Sequence, residues 1–369
     1  MPAKELDSPC MDCKDTESVL TVRRRQLCGA CFKRFVSYKV FRRMEKYKPP
    51  RNPQDPRHQL LLPLSFGVSS SVLLRMLDAE LERQRSKNFA RNTFDLHVLV
   101  IEPSTMAGSS VPYDRNYEAV QKIFPQHTYS QVPFHSIFEY VPDMNEIMRE
   151  YTGPQFTDDS SRSNAERLAA FRAAISTATS ATDVDSVLLT RLVAAFAKQS
   201  GCETVLWGDS DSRLAAKALA GVAKGRGASL TWRVSDGVSP WGLQFDFPLR
   251  DLYKAELIQY ESVCPELAEI IIPDEPPSDN VLTKNLSIDE LMMRYVETQG
   301  AKYPGVMANV ARTVNKLETS NSGNASCGLC GGLVGNVKRN SGVTVSSQAE
   351  SSGSPFCYGC MRSRPEINC

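Results

Sequence analysis

Eight of the eleven cysteines fall into four C-x-x-C pairs, and the pairs sit at the two ends of a 369-residue chain. Cys10/Cys13 and Cys28/Cys31 lie near the start; Cys327/Cys330 and Cys357/Cys360 lie near the end. Two thiolates three residues apart can turn onto one tetrahedral ion, and a second such knuckle completes four sulfur ligands. The N-terminal spacing, C-x2-C-x14-C-x2-C, is close to that of a structural zinc site. The C-terminal pairs are separated by 26 residues rich in Ser, Gly and Asn, a looser pattern that still supports a second four-cysteine site. Iron competes for the same ligand sets, and an N-terminal knuckle pairing with a C-terminal one is the alternative arrangement. Disulfides are disfavoured because the start, MPAKELDSPCMDC, has no apolar h-region of a secretory leader. A thioredoxin-like role would need a single C-x-x-C opening a helix after a strand, not four pairs at the termini. Cys202, Cys264 and Cys369 stand alone.

The second constraint is charge. The chain carries a net +1, yet residues 20–60 hold twelve Lys and Arg against Glu45 and Asp55 alone. Behind Cys31 runs FKRFVSYKVFRRMEKYK, in which Phe32, Val36, Val40 and Met44 recur every four residues. That period predicts an amphipathic helix. Its other faces carry Lys33, Arg34, Lys39, Arg42, Arg43 and Lys46, and Arg23, Arg24 and Arg25 precede it. Like charges crowded in this way repel unless a polyanion meets them, so these nine residues are read as gripping nucleic-acid phosphates. An acidic protein is the rival partner.

Between the cysteine sets the pattern changes to alternating strands and helices. Strands are expected at HQLLLPLS, 94–102, 128–132 and 204–207; helices at 69–84, 114–124, 183–200, 212–224, 252–263, 287–299 and 304–317. Residues 141–165 read as polar and irregular, and 273–279 as a linker. This alternation predicts an α/β fold, a parallel sheet covered on both faces. With 41% hydrophobic residues the chain can bury a large core, and no run approaches the length of a membrane span. Two strand-to-helix turns stand where such folds bind ligands: Ser65-Phe66-Gly67-Val68-Ser69-Ser70 and Gly208-Asp209. From spacing alone both are ordinary capped turns.

The combination of CMDC…CGAC with a basic helix, the SFGVSSS turn, LWGDSDSRLAAKALAG, FPLRDLYKAEL and a closing CGLC…CYGC resembles the second subunit of the cytosolic tRNA 2-thiolation complex. The resemblance covers nearly the whole chain. It implies a Rossmann-like PP-loop (adenine nucleotide alpha hydrolase-like) parallel sheet over 57–318. Structural zinc modules flank it over 1–56 and 319–369. It further implies a cytoplasmic protein that binds tRNA and forms a heterodimer with a catalytic PP-loop sister subunit. Sulfur for the wobble uridine would come from a thiocarboxylated ubiquitin-related carrier met through the sister. A part in attaching that carrier to proteins is implied in the same way.

This sequence departs from the pattern of active PP-loop enzymes, Ser-Gly-Gly-x-Asp-Ser. Phe66 stands at the first glycine and Ser69 at the aspartate. The expectation is that the benzyl group obstructs the bend that would hold a triphosphate. Asp209 stands where a Gly-His-Asn-type start is usual, and its charge would repel a phosphate. No C-x-x-C occurs between residues 32 and 326. Of the four histidines, His97 in FDLHVLVIE reads as a packed side chain. Ser65, Phe66, Gly67, Ser69, Ser70, Gly208 and Asp209 are therefore read as a pocket remnant. ATP binding is in doubt, and no catalytic residue is assigned. The competing functions are a working ATP-dependent tRNA sulfurtransferase and a zinc-binding nucleic-acid protein outside tRNA modification.

Overall fold

A computed structural model describes residues 9–47, 56–86, 93–102, 113–153, 156–273, 286–317, 325–334 and 355–365. The N-terminal knuckles frame a hairpin of β1 (Leu20–Val22) and β2 (Arg25–Leu27). Its turn residues, Arg23 and Arg24, both take positive φ, 46° and 72°. Helix α1 (Gly29–Met44) begins directly after Cys28 and buries Phe32, Val36, Val40 and Met44, the residues whose four-residue period predicted it.

The central domain is a six-stranded sheet in the order β5-β4-β3-β6-β8-β7. Its strands are β3 (His58–Pro63), β4 (Phe94–Glu102), β5 (Thr128–Pro133), β6 (Thr204–Leu206), β7 (Gly237–Val238) and β8 (Gln244–Asp246). All neighbours are parallel except β7 and β8. Leu60, Leu61 and Leu62 are consecutive in β3 and fully buried, so both faces of that strand are covered. This is why it reads as a continuous apolar run rather than an alternating one. Helices α2 (Val68–Ser86) and α3 (Tyr113–Ile123) carry the chain from β3 to β5. The return to β6, on the other side of β3, uses α4 (Ile137–Tyr140), α5 (Met144–Thr152), α6 (Asn164–Ala173) and the long α7 (Ala178–Gln199). The strand order therefore reverses between β3 and β6, and ligands of such sheets bind at that point.

After β6 come α8 (Asp211–Ala223), α9 (Leu230–Arg233), β7, β8, α10 (Lys254–Ser262), α11 (Ile288–Lys302), α12 (Pro304–Val314) and α13 (Tyr358–Ser363). Among the described residues no helix is long and apolar enough to cross a membrane. Residues 141–165 depart from the irregular reading. They contain α5 and the start of α6, the latter held by a Ser163/Glu166 capping box. Met144, Ile147, Met148 and Tyr151 have helical spacing and all are buried, but the charged residues between them hide the stripe. Strands β7 and β8 were not anticipated either, being only two and three residues long. Most of the expected linker and of the Ser/Gly-rich stretch lies outside the described residues.

Neither cysteine module stands apart from the core. Cys10, Cys28 and Cys31 share an apolar cluster with α2, β3, β4 and α10, and Cys327, Cys330, Cys357 and Cys360 share one with α5, α6 and α7. Where α1 meets the central domain, Asp211 opens α8 behind the N-cap Ser210. Asp211 is 2% exposed; its Oδ1 accepts from the Ser212 N–H at 2.6 Å, but its Oδ2 is buried without a hydrogen-bond partner among the described residues. Burial pushes its carboxyl up to about 6, against the pull of the Ser212 contacts and of Arg23; Glu256 pushes the same way as burial.

Below the ordinary carboxylate range Asp211 is protonated in folded and unfolded chains alike, and no penalty arises. Between the ordinary carboxylate range and about 6 the unfolded chain gives up this proton while the buried group keeps it, so folded stability falls as pH rises across that window and levels off above it. Asp211→Asn is therefore expected to stabilise the protein at neutral pH by about 1–3 kcal/mol. The gain should fade as pH drops below the folded value, read from urea midpoints across that range. An equal gain at every pH would exclude ionisation of Asp211 as its source.

Candidate functional site

At the carboxyl ends of β3, β4 and β6 lies a cavity of about 240 Å³. Of the seven residues read as a pocket remnant, Ser65, Ser70, Gly208 and Asp209 line it. Ser69 lies in the first turn of α2 and Gly67 just before it, and neither faces the cavity. Phe66 departs from the expectation. Its ring is fully buried in the apolar cluster that includes Leu64, Leu252 and Ile270, and it lines no part of the cavity. The backbone explains the difference. Phe66 adopts φ +57°, the left-handed region, which turns its side chain into the core while its carbonyl accepts from the Ile272 N–H at 2.9 Å.

The polar atoms of the turn are engaged with one another. Ser70 Oγ lies 3.2 Å from Ser65 Oγ and donates to the Gly67 carbonyl at 3.1 Å. Gly208 is required by close approach, because a Cβ there would lie 2.8 Å from the Ser70 Cα. Asp209 does not present a bare charge. Lys217 Nζ donates to its Oδ2 at 2.6 Å, and Arg213 Nε stands 4.0 Å from its Oδ1. The repulsion expected from its sequence position is thus largely neutralised within α8. His97 packs between Ser130 Oγ, 2.9 Å away, and the Phe196 ring, and burial lowers its basicity. Cys202 and Cys264 are buried in separate apolar clusters.

The cysteine pairs assemble end by end, not across the chain. Cys10, Cys13, Cys28 and Cys31 place their sulfurs within 4.8 Å of one another, and so do Cys327, Cys330, Cys357 and Cys360. A tetrahedral ion with sulfur at about 2.3 Å demands sulfur–sulfur edges of about 3.8 Å. Cys13 and Cys28 stand 3.8 Å apart and Cys330 and Cys357 3.5 Å, so both sets fit such an ion. Outer contacts hold the ligands in place. Arg34 donates to Cys31 Sγ at 3.5 Å, and the Gly332 N–H to Cys330 Sγ at 3.4 Å. Arg226, itself fully buried, donates to Cys360 Sγ at 3.4 Å and to Asp183 Oδ1 at 2.8 Å. Ser363 Oγ donates to Asp183 Oδ2 at 2.6 Å. Burial would raise the Asp183 carboxyl, but Arg226 and Lys224 hold it well below the usual range.

The basic arm is less free than its sequence suggests. Arg23 pairs with Glu256 at 2.6 Å and stacks 4.0 Å from the Tyr253 ring centroid; Lys39 lies 4.0 Å from the same Glu256. Arg43 bridges Asp251 and Asp236, at 2.7 and 3.1 Å, and Lys46 donates to Asp246 at 2.7 Å. Arg25 pairs with Asp12. Five of the nine residues assigned to nucleic acid thus have protein carboxylates as partners, most of them some 200 positions away in sequence. Arg24, Lys33, Arg34 and Arg42 have no carboxylate within ion-pair distance among the described residues. Sequence reasoning also missed Trp207, Lys217 and Arg233, which line hollows around the switch point. Only the folded chain brings α8 and α9 against the end of β6.

Comparison with known proteins adds a family. A family model described as cytoplasmic tRNA 2-thiolation protein 2 matches residues 287–354. The chain is 54% identical over 375 residues to the cytoplasmic tRNA 2-thiolation protein 2 of Aspergillus clavatus and 56% identical over 374 residues to that of Neosartorya fischeri; each match spans all of both chains. Among solved structures it is similar to the U34-tRNA thiolase NcsA from Methanococcus maripaludis with its 4Fe–4S cluster, at TM-score 0.55 and 13% identity, covering 88% of this chain and 91% of that one. That likeness establishes the PP-loop α/β fold.

Two outcomes follow from the site. Phe66→Gly removes a buried ring, about 3–5 kcal/mol, and relieves a left-handed residue, about 1–2 kcal/mol, so a net loss of about 1–4 kcal/mol is expected in chemical denaturation. A variant as stable as the parent would show that the ring contributes no more than the backbone strain it offsets. Elemental analysis of protein purified without chelator should find one metal ion per cysteine set, and Cys357→Ser should lose one of the two. A protein free of metal would count against both centres.

Proposed function

The chain belongs to the cytoplasmic tRNA 2-thiolation protein 2 family, and from that premise we propose that it is the non-catalytic, tRNA-holding half of a cytoplasmic wobble-uridine thiolase. In this reading a sister subunit with an intact PP-loop activates the uridine, and the two chains work as a heterodimer. Sulfur reaches the sister from a thiocarboxylated ubiquitin-related carrier. Zinc in both four-cysteine centres is structural, and it fixes the arm and the C-terminal segment against the core.

The observation that carries the reading is the rebuilt Ser65–Ser70 turn. The residue at the first glycine of an active loop is a core side chain here, the aspartate position is Ser69, and the serine hydroxyls bond to one another. No cysteine lines the adjoining cavity among the described residues, so the thiol that sulfur insertion requires is not supplied from this wall. Arg24, Lys33, Arg34 and Arg42 form the part of the arm that we assign to tRNA phosphates. Arg23, Lys39, Arg43 and Lys46 serve first to dock α1 on the central domain, and their remaining field adds to the attraction.

Reconstitution tests this. Purified alone, the chain is expected to give no 2-thiouridine from tRNA, ATP and a sulfur donor, whereas the complex co-purified with its native companion should give it. Thiolation by the lone chain would overturn the non-catalytic assignment. In the complex, Arg24→Ala with Arg42→Ala should lower the slope of tRNA affinity against salt by about 2, with the companion still bound. An unchanged slope would take tRNA off this face.

A further inference from the structure

Three hollows adjoin along one side of α8. The switch-point cavity and a narrow waist share Trp207, Asp209 and Lys217 as walls; the waist and a basin of about 270 Å³ share Ser186, Lys217 and Arg233. The groove so formed runs away from the Ser65–Ser70 turn, between α7, α9 and α11.

Its polar groups are unevenly matched. In the basin, Lys224 is held by Asp183 at 2.9 Å and Asp289 at 2.7 Å, and Arg226 by Asp183. Glu290 is spent on the Ser287 N-cap. These groups need nothing further. At the waist the balance differs. Among the described residues Lys217 and Arg213 have one carboxylate, Asp209, between them. Arg233 has no carboxylate within ion-pair distance among the described residues; its guanidinium donates to Ser186 Oγ at 2.9 Å. Burial and the neighbouring Arg226 weigh against its charge, and Asp183 and Asp289, both beyond ion-pair distance, offset this only in part. The indole Nε1 of Trp207 is buried and has no acceptor among the described residues. A buried donor left unpaired costs about 1–3 kcal/mol, so an acceptor here would be gained at a site already arranged for it.

We propose that the waist of this groove is a phosphate-binding site, in which Arg233, Lys217 and the Trp207 N–H hold the oxygens of one phosphate group. The donors come from three elements, the end of β6, α8 and α9. A tetrahedral anion with three outward oxygens can meet all three, whereas a planar carboxylate offers two oxygens in one plane. The phosphate belongs either to a nucleotide reaching over from the switch-point cavity or to the backbone of a bound RNA. The site lies apart from the serine turn and from the free face of the arm, and it stands whether or not the chain serves in thiolation.

Calorimetric titration of the full chain, with its metals retained, tests the proposal. The probes are tripolyphosphate, ATP and a single-stranded ribo-oligonucleotide. At low salt at least one probe should bind, and Arg233→Gln should weaken it roughly tenfold. Trp207→Phe, which keeps the ring and removes the donor, should weaken it several-fold, and Arg233→Lys should retain part of the affinity. A loss confined to ATP and tripolyphosphate assigns the site to a nucleotide; a loss confined to the oligonucleotide assigns it to RNA; either supports a phosphate site. Binding of every probe unchanged in all three variants overturns it, as does failure of the parent to bind any of them. Melting curves show whether Arg233→Gln is folded; if it is not, Trp207→Phe decides.

Discussion

Asp183 is a carboxylate sealed from water, and the C-terminal half of the molecule is arranged to keep it charged. Arg226 and Lys224 approach it from the end of α8, and Ser363 from α13. Ionic groups so buried are costly alone, and removal of one partner leaves a charge that typically costs about 3–5 kcal/mol. The arrangement therefore holds together or fails together. Because Arg226 also donates to Cys360, the same network fixes a ligand of the C-terminal cysteine centre. Gly359 has to be glycine for that reason: a Cβ there would meet the Arg226 side chain at 2.6 Å.

The two cysteine modules are joined to the core by different physics. The C-terminal one is fastened through buried charge and through apolar packing against α5, α6 and α7. On the N-terminal side, α1 buries an apolar stripe, and around its edge lie ion pairs with the half-exposed Asp236 and Asp251 and with the buried carboxylates of Asp246 and Glu256. The exposed pairs of Asp236 and Asp251 contribute little each, whereas Asp246 and Glu256 are buried carboxylates that need their cations, so the stripe supplies most of the energy and the acids set the register. They also answer the puzzle of a strongly basic arm in a nearly neutral chain. The acidic surplus elsewhere in the sequence is concentrated, in part, where the arm docks.

What was legible in the sequence follows from how local each signal is. C-x-x-C spacing, a four-residue apolar period and a run of buried leucines depend on neighbours in the chain, and the two cysteine centres, α1 and β3 lie where those signals place them. The ion pairs of Arg23, Arg43 and Lys46 span about 200 residues and leave no local mark. The waist is equally non-local, since Trp207, Lys217 and Arg233 look like scattered surface residues until α9 folds back. Phe66 is a different case. Its identity departs from the Ser-Gly-Gly-x-Asp-Ser pattern, but the direction of its ring depends on a positive φ that no periodicity encodes.

That direction changes what the altered loop means. A left-handed phenylalanine is strained by about 1–2 kcal/mol, and burying its ring returns about 2–3 kcal/mol. The strain persists because the core holds the ring, with the carbonyl tied to Ile272. The turn closes the core here, and glycine at position 66 would lose that packing. Donors with capacity to spare have not vanished from this end of the sheet. One helix further on, the Trp207 N–H has no acceptor among the described residues, Arg233 has only the Ser186 hydroxyl, and Lys217 shares Asp209 with Arg213, so a phosphate can be held there without the geometry that activates it. In the reading proposed above, this end of the sheet grips the substrate and the chemistry is left to the partner subunit.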